Sequence, residues 1–389
     1  SKRIRRGLRV YQLETNEVDP DRRERVTRHL EANLGPALAR LKKLEAELNS
    51  LFIAKQEIIK MVIVSAIANQ PMLLIGPPGT AKSKIILKFC EGLGVGRVGE
   101  SADGEGAVAV GHPDPERPTH SVFQYLLHGF TEPDEILGPV LIEKLRQDKP
   151  EFRRLREGSI TDAEVIFLDE VFRANSAILN ALLSVINERQ VFEGGQAIPA
   201  KVRMIYGASN STPSGRQLQD LRAFYERFIL RMESTFVPMD TDGESGGPSP
   251  ERQELLRRGW AGEVRDLRAS YRPQRAAMEP VSCLNDVLLL NRAVCELWGG
   301  EKIDDLDILP IYQRLVATLS GGDILDCVID DRKFIRLFLV VRAHALYEHQ
   351  GPPRVDDLIV LKHTWDDVDS KVSLGQTVTK FIDAVKADG

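Results

Sequence analysis

A glycine-rich loop between an apolar run and a helical pattern is the feature of this sequence that most clearly predicts chemistry. The octapeptide GPPGTAKS follows the apolar residues 72–75 and precedes a helical pattern that includes Ile85, Ile86 and Phe89. Its members are Gly76, Pro77, Pro78, Gly79, Thr80, Ala81, Lys82 and Ser83. Backbone N–H groups of such a turn converge on phosphate oxygens, and the dipole of the following helix attracts the same negative charge. The octapeptide therefore predicts a phosphate-binding loop for a nucleotide.

The last two residues of the loop have separate predicted tasks. Lys82 would reach the β- and γ-phosphates, and the Ser83 hydroxyl would ligate Mg²⁺. The strict pattern has glycine just before the lysine, whereas Ala81 stands there in this chain. Taken alone, the octapeptide could also be a tight strand–helix turn with a surface lysine. A second motif is needed to favour the nucleotide site.

A pair of acids at the end of another apolar run is that second motif. Residues 165–168 have the pattern of a buried strand, and Asp169 and Glu170 follow directly. Strands buried in a parallel sheet deliver polar residues at their carboxyl edge, where ligands bind. Asp169 would orient Mg²⁺, and Glu170 would polarise the attacking water. A solvated strand end is the alternative for such a pair, and the preceding phosphate loop makes it the weaker interpretation.

Two further motifs lie beside these. Asn210 ends the apolar residues 204–209, and its amide could hold the attacking water or the γ-phosphate; a turn cap is the alternative. Residues 94–99 (GVGRVG) fit the pattern G-x-G-x-x-G. They follow a helix and lead into the loop SADGEG, whereas a dinucleotide fingerprint follows a strand and opens a helix. We interpret residues 94–99 as a glycine-rich loop.

The elements that must position these groups follow from apolar patterning. From Phe52 to about Val237, short apolar runs alternate with helical patterns, and the strands are predicted at 72–75, 123–127, 165–168 and 202–208. This alternation is typical of a parallel sheet covered by helices on both faces. Residues 240–252 (DTDGESGGPSPER) form a composition break and predict a flexible connection. Helical patterns at 281–298, 308–320 and 331–347 follow it.

We therefore predict an α/β fold: a P-loop αβα sandwich with a parallel sheet, followed by a small all-helical lid domain. The predicted divisions are a basic tail and helical segment at 1–50, the αβα core at 51–240, a linker and helical connection at 241–280, and the lid at 281–389.

The first fifty residues have a different character from the core. Asp19-Pro20 predicts a helix start, and Gly35-Pro36 predicts an interruption. The basic residues of the tail are Lys2, Arg3, Arg5, Arg6 and Arg9. A solvated tail is the simpler interpretation, and contact with nucleic acid or an acidic partner is the alternative. A leucine stripe then predicts an amphipathic helix through Leu38, Leu41, Leu44, Leu48 and Leu51.

Composition narrows the classes of function. The chain has 389 residues, 42% of them hydrophobic and 28% charged, which excludes wholesale disorder. Its 52 basic and 57 acidic residues give a net charge of −5, which argues against a nucleic-acid coat protein. The four cysteines form no C-x-x-C pair, so free thiols in a reducing compartment are expected. No apolar run approaches the ~20 residues of a membrane span, and no secretory signal is visible, so we predict a cytoplasmic location.

Several segments together resemble the MoxR branch of the AAA+ ATPases. They are GPPGTAKS, HGFTEPDEILGP at 128–139, and VIFLDEVFRANSAILNALLSVINERQ at 165–190. Two later segments, DDRKFIRL at 330–337 and VDDLIVLKHTWDD at 355–367, resemble the RavA subgroup of that branch. The resemblance covers most of residues 50–370 and makes the predicted core an AAA+ ATPase core. Residues 1–40 and the loop at about 96–120 do not match it.

The resemblance implies a ring, usually a hexamer, in which ATP and Mg²⁺ are bound between subunits. It places Lys82 and Ser83 at the phosphate-loop positions. It assigns Asp169 and Glu170 to the magnesium and water-activating positions, and Asn210 to the first sensor.

The resemblance also implies two arginines that act on the phosphates. Arg227 precedes a phenylalanine as the family's arginine finger does, although Glu226 stands where Asp is usual, and Arg222 is the alternative. Arg332 matches the second sensor, with Lys333 as the alternative. A planar guanidinium is well suited to the charge that spreads over a transferring phosphoryl group. From the sequence alone, a surface salt bridge is the simpler interpretation of Arg227.

Finally, the resemblance implies a class of function. It predicts two β-hairpin insertions, with residues 137–152 and 190–201 as candidates, the second around the turn Gly194-Gly195. MoxR proteins act as chaperone-like motors that remodel protein or metalloprotein complexes, commonly with a von Willebrand factor A (VWA) domain partner. A nucleic-acid-stimulated, helicase-like motor is the alternative, against which the net charge argues. A nucleotide-gated scaffold that hardly turns over ATP is the third hypothesis.

Overall fold

The computed structural model describes most of the chain in nine segments. They are residues 20–97, 121–143, 151–193, 196–213, 221–237, 250–270, 280–297, 306–321 and 329–388. The predicted basic tail, nearly all of the loop at 96–120, the hairpin turn Gly194-Gly195 and residues 238–249 of the predicted connection lie outside these segments.

Secondary structure in these segments is as follows. The strands are β1 (Met72–Ile75), β2 (Gly96–Arg97), β3 (Ser121–Leu126), β4 (Val140–Glu143), β5 (Glu151–Arg154), β6 (Val165–Asp169), β7 (Gln190–Glu193), β8 (Gln196–Pro199), β9 (Met204–Ser209) and β10 (Leu230–Glu233). The helices are α1 (Pro20–Leu51), α2 (Gln56–Ala68), α3 (Lys82–Gly92), α4 (Pro133–Leu137), α5 (Ser176–Glu188), α6 (Pro250–Ser270), α7 (Leu284–Glu296), α8 (Ile308–Ser320), α9 (Asp331–His349) and α10 (Lys371–Asp388). Short 3₁₀ helices span Val171–Arg173 and Val355–His363.

Six parallel strands form the central sheet, in the order β10-β1-β9-β6-β3-β2. Ile75 in β1 pairs with Ser209 on one side and Glu233 on the other. Because all strands run the same way, their last residues meet at one edge, which we call the carboxyl edge; the other is the amino edge. The four predicted strands are confirmed with shifts of one or two residues at their ends. The predicted α/β fold is thereby confirmed.

Helices cover both faces of the sheet, as the apolar strands require. Tyr206 in β9 packs edge-on against Phe89 of α3 at 6.2 Å and donates its hydroxyl to the Val62 carbonyl of α2 at 3.0 Å. The next residue, Gly207, points to the other face, where an added Cβ would meet the Phe228 ring at 3.0 Å. Strand β9 is therefore packed on both faces, which fixes the position of its end at the carboxyl edge.

One expectation fails at the sheet border. Residues 94–99 were expected to form only a loop, but Gly96–Arg97 pair with Ser121 and Val122 as strand β2. Pairing at a sheet edge needs only backbone groups, so a glycine-rich sequence can extend the ladder by two residues.

The N-terminal helix also differs from expectation. Gly35-Pro36 were expected to interrupt it, but α1 continues through Pro36 from residue 20 to residue 51. A proline inside a helix costs about 3 kcal/mol. The apolar stripe on both sides of it is buried, through Leu30, Leu34, Leu38, Leu41, Leu44 and Leu48. Burial of these six side chains against α2, α3 and α7 offsets the lost hydrogen bond.

The C-terminal region is helical, as predicted. Helix α7 packs on α1 and α2, and α9 packs on α2, so the lid helices rest on the N-terminal helices. Arg40 of α1 fastens this contact with two hydrogen bonds to Asp286 at 2.8 and 2.5 Å. The expectation of a flexible connection at 240–252 is wrong for the last three residues, which begin helix α6. Pro250 and Glu251 there suit the first turn of a helix.

Two antiparallel hairpins project from the core where insertions were predicted. Strands β4 and β5 pair Val140 with Arg154, and β7 and β8 pair Gln190 with Pro199. Among the described cysteines, Cys90, Cys283 and Cys295 form no disulfide. No helix in the described segments is long and apolar enough to cross a membrane.

Candidate nucleotide-binding site

The loop after β1 adopts a conformation that only glycine fits at its first position. Gly76 has φ +152°, and an added Cβ would lie 2.0 Å from the Ser234 carbonyl oxygen. Its N–H donates to the Ser209 carbonyl at 3.1 Å, so the loop leaves the sheet at the carboxyl edge. Gly79 has φ +83°, a second position that favours glycine. The loop is thus a tight backbone cradle immediately before α3.

The departure at Ala81 has a visible conformational cost. Ala81 has φ +67° and ψ +16°, the left-handed conformation, directly before the first residue of α3. For a residue with a side chain, this conformation costs about 1–2 kcal/mol. The loop is held regardless, because Thr80 donates its hydroxyl to Pro77 O at 2.8 Å and accepts at its own carbonyl from Ser234 Oγ at 2.8 Å. The glycine expected at position 81 is therefore replaceable here.

Lys82 points into the cradle. Its ammonium donates to the carbonyl oxygen of Gly76, to that of Pro77 at 3.0 Å, and to Asn210 Oδ1 at 3.0 Å. Burial lowers the pKa of Lys82, although the nearby carboxylates of Asp169 and Glu170 act in the opposite direction. The loop carbonyls hold the ammonium inside the cradle. Phosphate oxygens bound there could replace these carbonyls as its acceptors.

The predicted metal and water residues meet beside this lysine. Ser83 Oγ donates to Asp169 Oδ2 at 2.7 Å, and Asp169 Oδ1 accepts from the Glu170 N–H at 3.0 Å. Glu170 itself has φ +53°, and its Oε1 accepts a hydrogen bond from Asn210 Nδ2. Five residues from two strand ends and one helix start therefore form one connected polar cluster.

Two members of the site were missed from the sequence. Lys55, in the turn between α1 and α2, donates to Ser234 Oγ at 3.2 Å and to the Thr235 carbonyl at 2.5 Å. Burial, and secondarily the charge of Lys82, lowers the pKa of Lys55. Arg173 lies 3.4 Å from Glu170 Oε2. Lys55 had no detectable signal, but Arg173 follows the acid pair by only three residues and could have been considered.

The donors and acceptors present fit a nucleotide with Mg²⁺. A cradle that one Cβ at Gly76 would fill leaves room for close backbone approach to phosphate. A serine hydroxyl and a carboxylate in mutual contact are hard oxygen ligands of the kind Mg²⁺ prefers.

The structure does not bring the two predicted arginines to this cluster. Arg227 lies three residues before β10, at the amino edge, and Arg332 lies exposed on the first turn of α9. Arg336 lies within electrostatic reach of both. Burial first, then the charges of Arg332 and Arg227, lowers the pKa of Arg336 to about 10. Arg189 extends this group, because burial, Arg336 and Arg203 lower its pKa to about 10 as well.

The alternatives for these two positions are engaged within the chain. Arg222 is exposed and pairs with Glu226 one turn along, at 2.7 Å. Lys333 is buried and donates to Asp366 Oδ1 and to the Thr364 carbonyl, both at 3.3 Å. Arg227 keeps a buried Nε with no acceptor in the described part of the chain. The contacts of Lys333 commit it to the interior of the chain, whereas Arg332 is exposed.

Comparisons with known proteins place the chain in a family. A profile of the family described as the MoxR domain in the MoxR-vWA-beta-propeller ternary systems matches residues 39–100 and 117–279. The unmatched gap falls within the loop that the MoxR resemblance had left out.

Relatives are found in archaea and in a virus. Uncharacterized protein MJ0812 of Methanocaldococcus jannaschii is 36% identical over 338 residues, covering 86% of this chain and 74% of that protein. Uncharacterized protein MJ0079 of the same organism is 28% identical over 341 residues, covering 87% and 73%. Structural protein ORF618 of Acidianus two-tailed virus is 26% identical over 286 residues, covering 71% of this chain and 40% of that protein.

The fold is found in a solved structure as well. The crystal structure of a candidate ATPase from Cytophaga hutchinsonii superposes with a TM-score of 0.59 at 14% identity, covering 92% of this chain and 97% of that one. At this identity the match supports the fold, and the profile match supports the family. The chain therefore belongs to the MoxR family of AAA+ ATPases.

Proposed function

We propose that this chain hydrolyses ATP with Mg²⁺ in a ring of identical subunits, as a MoxR-type motor that remodels a protein or metalloprotein complex. The observation that carries the proposal is the division of its polar groups. Groups suited to phosphate, metal and water cluster at the carboxyl edge, and arginines suited to transition-state charge cluster at the amino edge.

Hydrolysis at the carboxyl edge would proceed by attack of water on the γ-phosphorus. Glu170 would accept a proton from the water, while Asn210, which already contacts Glu170, would hold the water in line. The bond from the γ-phosphorus to the β–γ bridging oxygen breaks, and ADP leaves with the electron pair. Lys82 would offset the negative charge of the β- and γ-phosphates. Ser83 and Asp169 would hold Mg²⁺, which supplies further charge neutralisation when bound.

The position of Arg227 and Arg332 supports action between subunits. Arg227 lies before β10 at the amino edge, and Arg332 shares its neighbour Arg336, whereas the phosphate loop of the same chain follows β1 at the carboxyl edge. An arginine that stabilises the γ-phosphoryl charge would then come from the neighbouring subunit, and such a residue can be worth roughly 10³–10⁵ in rate. Hydrolysis would depend on assembly, and a closed ring, by resemblance a hexamer, supplies every site with a neighbour.

The partners follow from the family alone. Its description names ternary systems of MoxR, a vWA protein and a beta-propeller, and we propose a VWA-domain partner and a protein client for this chain. A cytoplasmic location fits that role. The RavA-like subgroup rests on residues 330–337 and 355–367, beyond the segments that the family profile matches, and stays a prediction.

The test is ATP turnover by the purified chain, with and without Mg²⁺, for the parent and for Glu170→Gln. We expect the variant to bind ATP and to lose roughly 10²–10⁴ in turnover. Glu157→Gln, at an exposed position away from the cluster, is the control and should keep parental turnover. Equal turnover of Glu170→Gln and the parent would favour the nucleotide-gated scaffold.

Two further readouts of the same preparation separate the remaining alternatives. Light scattering in ATP should give the mass of a ring, and a monomer under conditions of full turnover contradicts catalysis between subunits. Added DNA should leave turnover unchanged. Stimulation by DNA with a steep salt dependence would favour the helicase-like motor instead.

A further inference from the structure

We propose that Arg231, which no motif singles out, is a positioning residue that holds Arg227 and Arg332 together as one unit facing the neighbouring subunit. The inference rests on the proposed action of these two arginines between subunits. Arg231 itself would touch neither nucleotide nor water.

Arg231 is a fully buried guanidinium in the middle of edge strand β10, with 0% of its side chain exposed. Its Nη1 donates to Asp366 Oδ1 and to the Trp365 carbonyl, both at 2.6 Å. Its Nη2 donates to the Tyr225 carbonyl at 3.2 Å, and its guanidinium lies 4.1 Å from the centre of the Tyr225 ring. One side chain therefore binds both the segment before β10 and the segment after the lid's 3₁₀ helix.

The first connection leads to Arg227. Tyr225 lies two residues before it, and the Tyr225 carbonyl also accepts the Phe228 N–H at 3.1 Å, which closes a turn around Arg227. The Tyr225 hydroxyl donates to the Asp366 carbonyl at 2.9 Å. Arg231 and Asp366 therefore hold both ends of Tyr225, and with it the turn that presents Arg227.

The second connection leads to Arg332. Asp366 Oδ1, which accepts from Arg231, also accepts from Lys333 Nζ at 3.3 Å. The backbone N–H of Lys333 donates to Asp330 Oδ1 at 2.6 Å, which caps α9. Arg332 lies between these two anchored positions on the first turn of α9. Its backbone is fixed, while its side chain is exposed.

A tie of this kind is needed because the groups it gathers repel one another. Arg336 lies within electrostatic reach of both Arg227 and Arg332, and all three side chains are guanidinium groups of like charge. Like charges repel one another, so other contacts must hold these arginines in place. The Asp366 carboxylate shared by Arg231 and Lys333 is such a contact, since both cationic side chains that it joins are buried.

The test is subunit complementation, because it distinguishes a positioning role from a general loss of folding. Arg231→Met is mixed with Lys82→Ala subunits, which cannot engage phosphate but present intact arginines. We expect Arg231→Met alone to lose at least tenfold in turnover while its affinity for an ATP analogue stays within twofold of the parent. The mixture with Lys82→Ala should regain activity, and the mixture with Arg227→Ala should not.

Controls make each outcome decisive. Arg342→Met removes a different buried arginine, one in α9 that donates to the Leu297 carbonyl at 2.7 Å. The folded fraction of this variant should keep parental turnover. The mixture of Lys82→Ala with Arg227→Ala must regain activity; if it does not, the proposed action between subunits fails, and this inference with it. If that mixture is active but Arg231→Met does not complement Lys82→Ala, or does complement Arg227→Ala, only the positioning role is overturned. Should Arg231→Met not fold, Asp366→Asn removes the shared carboxylate from the other side and takes its place with the same expectations.

Discussion

The two edges of the central sheet hold their charged groups in opposite ways. At the carboxyl edge, cations, carboxylates and an amide contact one another: Lys82 binds Asn210, Asn210 binds Glu170, and Ser83 binds Asp169. At the amino edge, arginines lie beside arginines, and burial together with like charge lowers the pKa of Arg189 and of Arg336 to about 10.

Under the proposed function, this difference separates the groups that one chain completes from those that a neighbour would use. At the carboxyl edge, the polar groups are paired with one another within the chain. The arginines at the amino edge repel one another and would be neutralised by an anion from outside, and in the proposed ring the phosphates bound to a neighbouring subunit would supply that charge. The proposed ring would join one kind of edge to the other, so assembly would both relieve the repulsion and enable the chemistry.

The largest expected effects are on ATP turnover, and the affinity for ATP distinguishes the two edges. Lys82→Ala and Arg227→Ala should both lose roughly 10³-fold or more in ATP turnover. Only Lys82→Ala should lose affinity for a fluorescent ATP analogue, because Lys82 belongs to the chain's own loop and Arg227 to the neighbour's site. Steady-state turnover and a binding titration measure the two quantities.

Arg222→Ala is the matched control for this comparison, since Arg222 pairs with Glu226 on the same helix. It should keep turnover within a few-fold of the parent. If Arg222→Ala loses turnover and Arg227→Ala does not, the finger is Arg222 and the arginine group at the amino edge has another purpose.

The carboxyl edge could be predicted from the sequence almost completely. Its residues lie directly after apolar runs, and a parallel sheet brings the ends of such runs together whatever the details of packing. Lys82, Ser83, Asp169, Glu170 and Asn210 are one cluster for this reason. The backbone strain at Ala81 was not predictable, because the identity of a residue does not fix its φ.

The amino edge could not be predicted in the same way. Arg189, Arg227 and Arg336 lie in three distant segments, and their proximity depends on how the lid packs against the core. The resemblance supplied Arg227 and Arg332, but Arg231 had no signal, since a lone arginine in an apolar strand has no periodicity to mark it. The continuous helix through Pro36 was missed for a related reason: burial of the leucine stripe outweighs the local effect of proline.

A smaller effect is expected from the backbone of the carboxyl edge. Gly76→Ala should lower the free energy of unfolding by about 1–3 kcal/mol and weaken nucleotide binding, because its Cβ would lie 2.0 Å from the Ser234 carbonyl oxygen. Gly259→Ala, in the exposed helix α6 with nothing within 4 Å of the added Cβ, should raise stability by about 0.5–1 kcal/mol. Urea denaturation of both variants measures the difference. A Gly76→Ala chain as stable as the parent would show that the loop is not the tight cradle described above.

At the amino edge, removal of a charge should stabilise the isolated subunit. Arg336→Gln should raise the free energy of unfolding by about 0.5–2 kcal/mol in low salt, because it relieves repulsion from Arg227 and Arg332. The gain should shrink in 1 M salt, where the Debye length falls to about 3 Å. Arg258→Gln is the control: Arg258 pairs with Glu254 at 2.5 Å, so its loss should not stabilise the chain. Thermal or urea unfolding below the assembly concentration gives both values, and a destabilised Arg336→Gln would contradict the repulsion.

The smallest effect concerns how the lid is fastened at each edge. Near the amino edge the fastening is the ion pair between the buried Arg231 and the partly exposed Asp366. Near the carboxyl edge it is Glu57, which lies 3.4 Å from His363, contacts Lys362 and is 55% exposed. Hydrogen bonding from His363, then from Lys362, lowers the pKa of Glu57 to about 2 against the opposing effect of burial. Water screens so exposed a pair, so Glu57→Gln should cost less than about 1 kcal/mol at neutral pH.

The pH dependence of that small cost is the sharper measurement. A carboxyl whose pKa is lowered by folding contributes stability that is fully present above its ordinary pKa of 4.5 and is lost as pH falls through about 2. The difference in unfolding free energy between the parent and Glu57→Gln should therefore be constant from pH 7 to about 5 and fade toward pH 2. In a chain that already carries Lys362→Met, Glu57→Gln should cost less than it does in the parent. The two costs should not add, because the two side chains share one contact. A difference that stays constant down to pH 2.5 would mean that Glu57 does not hold the lid through its charge. Other contacts would then have to hold the lid near the carboxyl edge, while the role of the Arg231–Asp366 pair near the amino edge would be unaffected.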